Sequence, residues 1–349
     1  MLHFRNDYQS STIPEVLEGF SQHINDIYAP YGMDELTQHA KEVLSSKMRD
    51  HNLDIHFVNG GTLANLIIFR AILRSYEGVI ACKTAHINTH ETGAIEACGH
   101  KVVEIDDTDG KVTPEKIQRV YDCHHRQYEH MVDLKAVYIS NATELGTIYS
   151  EDELHALHEK CKELNMYLVL DGERIGAALM SGVGYTLNDV AACCDIFTIG
   201  VTKNGGLFGT AIVITNDILK DRFRFAIKQS GGLMAKSWLI ALQFSALFEN
   251  DKFYEIAKKE NEFAIQIQNC CHNLGYPFLV KSYTNQIFPA LTEEQYNYLK
   301  NEVDFEIWDI RNGYYFIRIV TSFSTTQEDV NALCECFRQA SKIHKKESV

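Results

Sequence analysis

The chain has 349 residues, 45% of them hydrophobic and 23% charged, with a formal net charge of −14 and a sequence pI near 5.5. That length can bury a large core and divide into a major and a minor domain. The acidity excludes the basic stripe that a nucleic-acid surface needs, and no apolar run approaches the length of a membrane span.

The N-terminal residues MLHFRNDYQS are polar and lack the greasy core of a signal peptide. The ten cysteines are scattered, with no C-x-x-C pair, and the neighbours Cys193-Cys194 and Cys270-Cys271 are poorly placed to bridge. A reducing cytosol, and hence a cytoplasmic protein, is the expected setting.

The first thirty residues read as an arm and a short helix with Pro14 in its first turn. An amphipathic helix follows over 33–50, with Leu36, Ala40, Val43 and Leu44 at helical spacing. Short apolar runs then alternate with helical patterns. IHFVN leads into a helix from Thr62, GVIAC into a segment near His90, and KVVEI into a helix started by Thr113-Pro114-Glu115. KAVYIS precedes the capping box Ser150 to Glu153 and a helix to about Asn165. YLVLD and DIFTIGV complete the series. Strands too apolar to face water, alternating with helices, predict an α/β fold whose mostly parallel sheet is covered by helices on both faces.

Near residue 245 the pattern changes. A long charged helix covers 252–274, and the runs PFLV, NQIFPAL, FEIWDI and YYFIRIVTS alternate with Thr292 to Asn301 and a last helix from about Thr326. A smaller C-terminal α+β domain is expected there. The division is an N-terminal arm at 1–20, a large domain at 21–248 and a small domain at 249–349.

Three features converge on one kind of chemistry. Lys203 follows an apolar strand and precedes Asn204-Gly205-Gly206, a turn that lets its amine point into a cleft at the strand's carboxyl end. Asp171 ends YLVLD, where a carboxylate needs a cationic partner; a protonated pyridine nitrogen is one and Arg174 is another. Gly60-Gly61-Thr62 opens a helix and offers N–H groups to a phosphate. An amine, an acid and an anion-binding turn at strand ends are what a protein needs to hold pyridoxal phosphate, an electron sink for chemistry on amino acids. His86 is placed to stack on such a ring or, with His90 one helical turn on and Glu91, to bind zinc, although no further ligands stand at a recognisable spacing. Arg318, inside YYFIRIVTS, is either paired structurally or clamps a carboxylate.

In this order the motifs resemble the threonine aldolase and β-eliminating lyase branch of the pyridoxal-phosphate enzymes with the aspartate aminotransferase type of fold (fold type I). The resemblance runs from FRNDY and YGMDE through HFVNGGTLAN, AHINTHETGAIEACGHKV, YISNATELGTIYS, LVLDGERIG, VTKNGGLFG and QSGGLMAK to IRIVTSFSTTQEDVNAL. It implies that Lys203 is the aldimine lysine, Asp171 the partner of the pyridine nitrogen and His86 the stacking ring. Gly61, Thr62 and Thr202 belong to the cofactor site by the same likeness, with Arg174. Arg174 and Arg318, with Asn6 where many relatives have serine, would receive the substrate carboxylate. Lys228 would reach the phosphate of a neighbouring subunit, which implies a homodimer, often doubled to a homotetramer, with shared active sites. The implied reaction is cleavage of a β-hydroxy-α-amino acid, threonine or allo-threonine, to glycine and acetaldehyde. The alternatives are a β-eliminating lyase using the same cofactor, and a non-catalytic relative that has lost it.

Three positions depart from the family pattern. Glu173 stands in DGER where alanine is usual, so a carboxylate is expected to crowd the ring or demand a compensating partner. Glu144, in NATELG, falls where other members carry a histidine near the substrate hydroxyl and is the candidate base. Met234-Ala235-Lys236 replaces a pattern in which arginine follows methionine.

Overall fold

The computed structural model describes residues 1–49 and 51–343. Asp50, the last residue of the helix expected at 33–50, and residues 344–349 of the small domain lie outside that range. Seven short runs form the central sheet: β1 (Asp54–Val58), β2 (Glu77–Cys82), β3 (Lys101–Ile105), β4 (Asp133–Ser140), β5 (Tyr167–Asp171), β6 (Ile196–Gly200) and β7 (Thr210–Ile214). Their spatial order is β1-β7-β6-β5-β4-β2-β3. Every residue of β2, β6 and β7 is buried, so the sheet is covered on both faces, and β-branched side chains suit that environment.

Only β7 runs against the rest, antiparallel to both β1 and β6. The sequence reading ends the series at β6 and misses β7, because no helix separates the two. The chain instead turns directly through 201–209, tied by Val201 N–H to the Gly209 carbonyl (3.0 Å) and Gly206 N–H to the Val201 carbonyl (2.8 Å). Since the other six strands share one direction, their carboxyl ends open on the same side of the sheet. That side receives the candidate site.

The observed helices keep close to their expected starts. Thr113 accepts from the Lys116 N–H ahead of Pro114–Gln127, and Ser150 with Glu153 closes a capping box on Glu151–Glu163. The segment near His90 is two single turns, His86–Thr89 and Ala94–Ala97, separated by the left-handed Thr92 and Gly93.

The C-terminal sheet is antiparallel and centred on β11 (Tyr314–Val320), which pairs with β8 (Gln286–Ile287), β9 (Ala290–Leu291) and β10 (Glu306–Arg311). Asn312-Gly313, both left-handed, makes the two-residue turn between β10 and β11. NQIFPAL divides into β8 and β9 because Pro289 has no N–H for a ladder. PFLV is not a strand; it offers only a bridge from Phe278 to Pro289.

Two apolar cores lie on either side of the cleft. One spans the central sheet from Ile13 to Ile256; the other holds Phe4, Phe263, Ile267, Ile317, Leu333 and Phe337. The helix Lys252–Asn273 enters both, through Phe253 and Ile256 at one end and Phe263 and Ile267 at the other. Packing therefore changes hands inside this helix, beyond the boundary expected at 248/249. The N-terminal segment also crosses. Leu2–His3 pairs in parallel with Val303–Asp304, Phe4 sits in the small core, and Ile13 and Val16 sit in the large one. Among the described residues no helix is long and apolar enough to cross a membrane.

Candidate active site

The carboxyl ends of β1, β2, β4, β5 and β6 each contribute a polar group. After β1 the chain turns at Gly60 into the helix Gly61–Ile72, whose start has no side-chain cap and whose Thr62 is exposed. Its first N–H groups therefore have no side-chain cap, and the helix starts where the sequence predicts. One turn into that helix, on the face of Gly61, Asn65 is buried and donates to Asp171 Oδ2 and to Glu91 Oε1, both at 2.9 Å.

Asp171 ends β5 buried. Besides Asn65 it accepts from the Tyr138 hydroxyl (2.7 Å, Oδ2) and the Glu173 N–H (3.0 Å, Oδ1). Burial alone drives a carboxyl upward; here His86 and these hydrogen bonds prevail and hold Asp171 below its ordinary pKa. It is thus a buried anion touched by neutral donors only. The alternative salt bridge to Arg174 does not form. Arg174 instead grips Asp7, with Nε to Oδ2 at 2.7 Å and Nη2 to Oδ1 at 3.0 Å, and Asn285 also donates to Asp7.

His86 begins the turn after β2. Its Nδ1 meets Glu91 Oε1 at 2.8 Å, and its ring stacks on His90, which stacks in turn on Trp308. Removal from water works against the imidazolium, yet Glu91, Asp171 and Glu144 raise its pKa. His90 is stacked between rings, and among the described residues no group of three His, Cys, Asp or Glu could hold a metal ion.

Beyond β4, Glu144 accepts from Ser140 Oγ (3.0 Å), and burial together with Asp171 raises its pKa against the pull of His86. Beyond β6, Lys203 makes no hydrogen bond or ion pair among the described residues. Burial and the nearby Arg174 lower its pKa, while Glu173, Asp7 and Asp171 oppose them. Such an amine gives up its proton more readily than an exposed one. Thr202 Oγ1 accepts from the Gly209 N–H (3.1 Å), which leaves its hydroxyl hydrogen to donate.

The remaining expected residues divide. Arg318 pairs with Glu306, reaches Gln286 Oε1 at 3.4 Å, and lies over Trp308, while its buried Nε has no partner among the described residues. Asn6 folds back to accept from the Tyr8 N–H (3.1 Å); its neighbour Asp7 is the residue that enters the site. Lys228 is exposed, its ammonium 4.4 Å from the centre of the Tyr31 ring, away from the cluster.

Sequence reasoning missed Asp7, Asn65 and Tyr138, and weighed Glu91 only beside His90 in the zinc alternative. Asn65 was the most accessible of these, four positions after Gly61 and so on the same helix face. Glu91 stands next to His90, but nothing in its spacing says that it turns to His86.

The family profile of the beta-eliminating lyases matches residues 5–294, and the chain belongs to that family. It is 30% identical to the low specificity L-threonine aldolase of Pseudomonas aeruginosa over 83% of this chain and 84% of that protein. A solved threonine aldolase from Leishmania major superposes with a TM-score of 0.95 at 38% identity, covering 98% of this chain and 100% of that one. The Thermus thermophilus aspartate aminotransferase matches with a TM-score of 0.73 at 17% identity, over 97% of this chain and 91% of that one, which is a likeness of fold.

Proposed function

We propose that the chain is a carbon–carbon lyase that binds pyridoxal phosphate and cleaves a β-hydroxy-α-amino acid such as threonine or allo-threonine to glycine and acetaldehyde. The observation that carries the reading is the Lys203 amine, free of any hydrogen bond or ion pair among the described residues, near Asp171, a buried anion contacted by neutral donors only. Members of the family are pyridoxal-phosphate enzymes, and the residues present suit that group. Asp171 wants a protonated pyridine nitrogen, and the uncapped start of Gly61–Ile72, with the hydroxyls of Thr62 and Thr202, suits a phosphate. When bound, the cofactor supplies an electron sink for the charge that builds at the α-carbon.

The chain's own residues do the rest. Lys203 would supply the amine that holds the cofactor, and His86, its Nδ1 steadied by Glu91, would offer its ring to the cofactor. Asn65 and Tyr138 keep Asp171 oriented and charged. Arg174, with Asp7 behind it, and Arg318, with one donor unspent among the described residues, would receive the substrate carboxylate and fix the substrate's orientation. Glu144 takes the proton from the β-hydroxyl as the Cα–Cβ bond breaks and the aldehyde leaves; a proton returned to the α-carbon completes glycine. Free cysteines in the helices and strands accord with a cytoplasmic setting. The exposed position of Lys228 accords with a role toward a second copy in a homodimer or homotetramer.

Purified protein supplied with pyridoxal phosphate and either threonine isomer should release glycine and acetaldehyde in equal amounts. Ammonia with 2-oxobutanoate would place it among the eliminating enzymes instead. Neither product, with no cofactor absorption band, would leave the non-catalytic reading.

A further inference from the structure

Glu173 is the residue that the family pattern does not explain, and its surroundings are built for it. The side chain runs between two glycines at strand ends. A Cβ on Gly61 would lie 2.8 Å from its carboxyl carbon, and a Cβ on Gly200 would lie 2.5 Å from Oε2. Alanine at either position would collide with the carboxyl. On the third side Thr210, which pairs with Gly200 across β6 and β7, donates its hydroxyl to Oε1 at 2.6 Å. The free oxygen, Oε2, lies toward Gly200. Beyond it Glu173 and Lys203 line one cavity of about 10 Å³, walled also by Asp7, Arg174, Asn204 and Glu260. The two groups are past ion-pair contact and face one another across a cavity of about one water's size.

We propose that Glu173 is a positioning residue for the Lys203 amine: its cradled carboxylate balances the ammonium in the free enzyme and accepts that proton as the amine becomes a nucleophile. The inference rests on the cofactor reading above and adds to it a place for the proton. Charge and atoms balance, because Lys203 –NH3+ and Glu173 –COO− become –NH2 and –COOH. The proton crosses the cavity that both side chains line and comes to rest on Oε2, the carboxyl oxygen that Thr210 does not hold. The same transfer resolves the crowding problem. A carboxylate against Gly61 would repel a phosphate seated on that turn, and a neutral carboxyl does not.

The other charges that face the pair agree. Burial, then Asp171, raise the carboxyl's pKa, against Lys203, the Thr210 hydroxyl and His86. Burial and Arg174 lower the amine's, against Glu173, Asp7 and Asp171. The two proton affinities are thereby drawn together, which a proton-sharing pair requires.

The test uses cofactor-free protein and acetic anhydride. Acetylation of Lys203 is followed from pH 6 to 10.5 by peptide mass spectrometry, with the exposed Lys228 as the internal standard. In Glu173→Gln the midpoint for Lys203 should move down by about one pH unit, because the counter-charge is gone. Thr210→Val should move it in the same direction by less, since the hydroxyl favours the ionised carboxyl. A group that merely fills space would leave the midpoint where it was. Unchanged or raised midpoints in both variants overturn the proposal, and the valine variant decides should the glutamine variant fail to fold. Wild-type protein is separately titrated with pyridoxal phosphate by absorbance. Shifted midpoints in a protein that takes up no cofactor sustain the pair and overturn only the cofactor reading.

Discussion

The two ends of the central sheet are built in opposite ways. At the amino ends of β2 and β4 lies an open groove of about 540 Å³, lined by Tyr76, Tyr121, His125, Tyr128, Lys135 and Asn165 among others. Tyr76 and Tyr128 are well exposed, and the Lys135 ammonium is spent on the Asn165 carbonyl and the Tyr167 ring. At the carboxyl ends the corresponding cavity is about 10 Å³, yet its neighbourhood holds Asp171, Glu173, Glu144, His86, Arg174 and Lys203 with altered proton affinities. Volume and chemistry point to different ends. The chemistry decides, because opposed charges held out of water are costly to assemble and a surface groove is not.

That contrast can be broken in three places. The largest effect belongs to Lys203→Ala, which should abolish cofactor attachment and lower the lyase rate by about 10³-fold or more. Borohydride reduction with pyridoxal phosphate should modify Lys203 in the wild-type 196–210 peptide and leave no pyridoxylated lysine anywhere in the variant. An unchanged absorption band would move the site elsewhere.

An intermediate effect belongs to Glu260, which faces the Asp7–Arg174 pair from the long helix with one carboxyl oxygen unpartnered among the described residues. Burial, then Asp7, hold its pKa well above the ordinary carboxyl value. A folded-state pKa above the unfolded one stabilises most below the unfolded value of 4.5, and that stability is lost as pH rises through the folded value. Glu260→Gln should therefore flatten the fall in Tm between pH 5 and 9. If the wild type and the variant lose stability in parallel, Glu260 is not held neutral.

The smallest effect belongs to the other end of the sheet. Tyr128→Ala should alter steady-state rates by less than about twofold and stability by no more than about 0.5 kcal/mol, as for an exposed side chain outside the site. A larger loss of rate would give the groove a part in catalysis.

The sequence was readable where one pattern dominated. β3 and β5 match their apolar runs residue for residue; in β5 four of five residues are buried, while β3 is an edge strand whose Lys101 and Glu104 face out. β7 escaped because alternation with helices was the guide, and the hairpin through Lys203 breaks that rule. In the site, Lys203, Asp171 and Gly61 could be read because each stands at a strand end with a distinct chemistry. What could not be read was pairing. Arg174 with Asp7, 167 positions apart, and Thr210 with Glu173 are contacts that only the closed fold creates. For the same reason Glu173 looked like an obstruction when read as a letter, and its two glycines and one threonine appear only in three dimensions.

The N-terminal segment has a practical bearing on how the protein is handled. Residues 2–4 are pinned to the small domain, Asp7 to Arg174 at the floor of the cleft, and Ile13 to the large core. Trimming seven residues to tidy an expression vector would remove the carboxylate paired with buried Arg174, and one protease cut between Asp7 and Ile13 would loosen it from the large core. An intact first dozen residues is therefore the quality check to run on any preparation before its activity is judged.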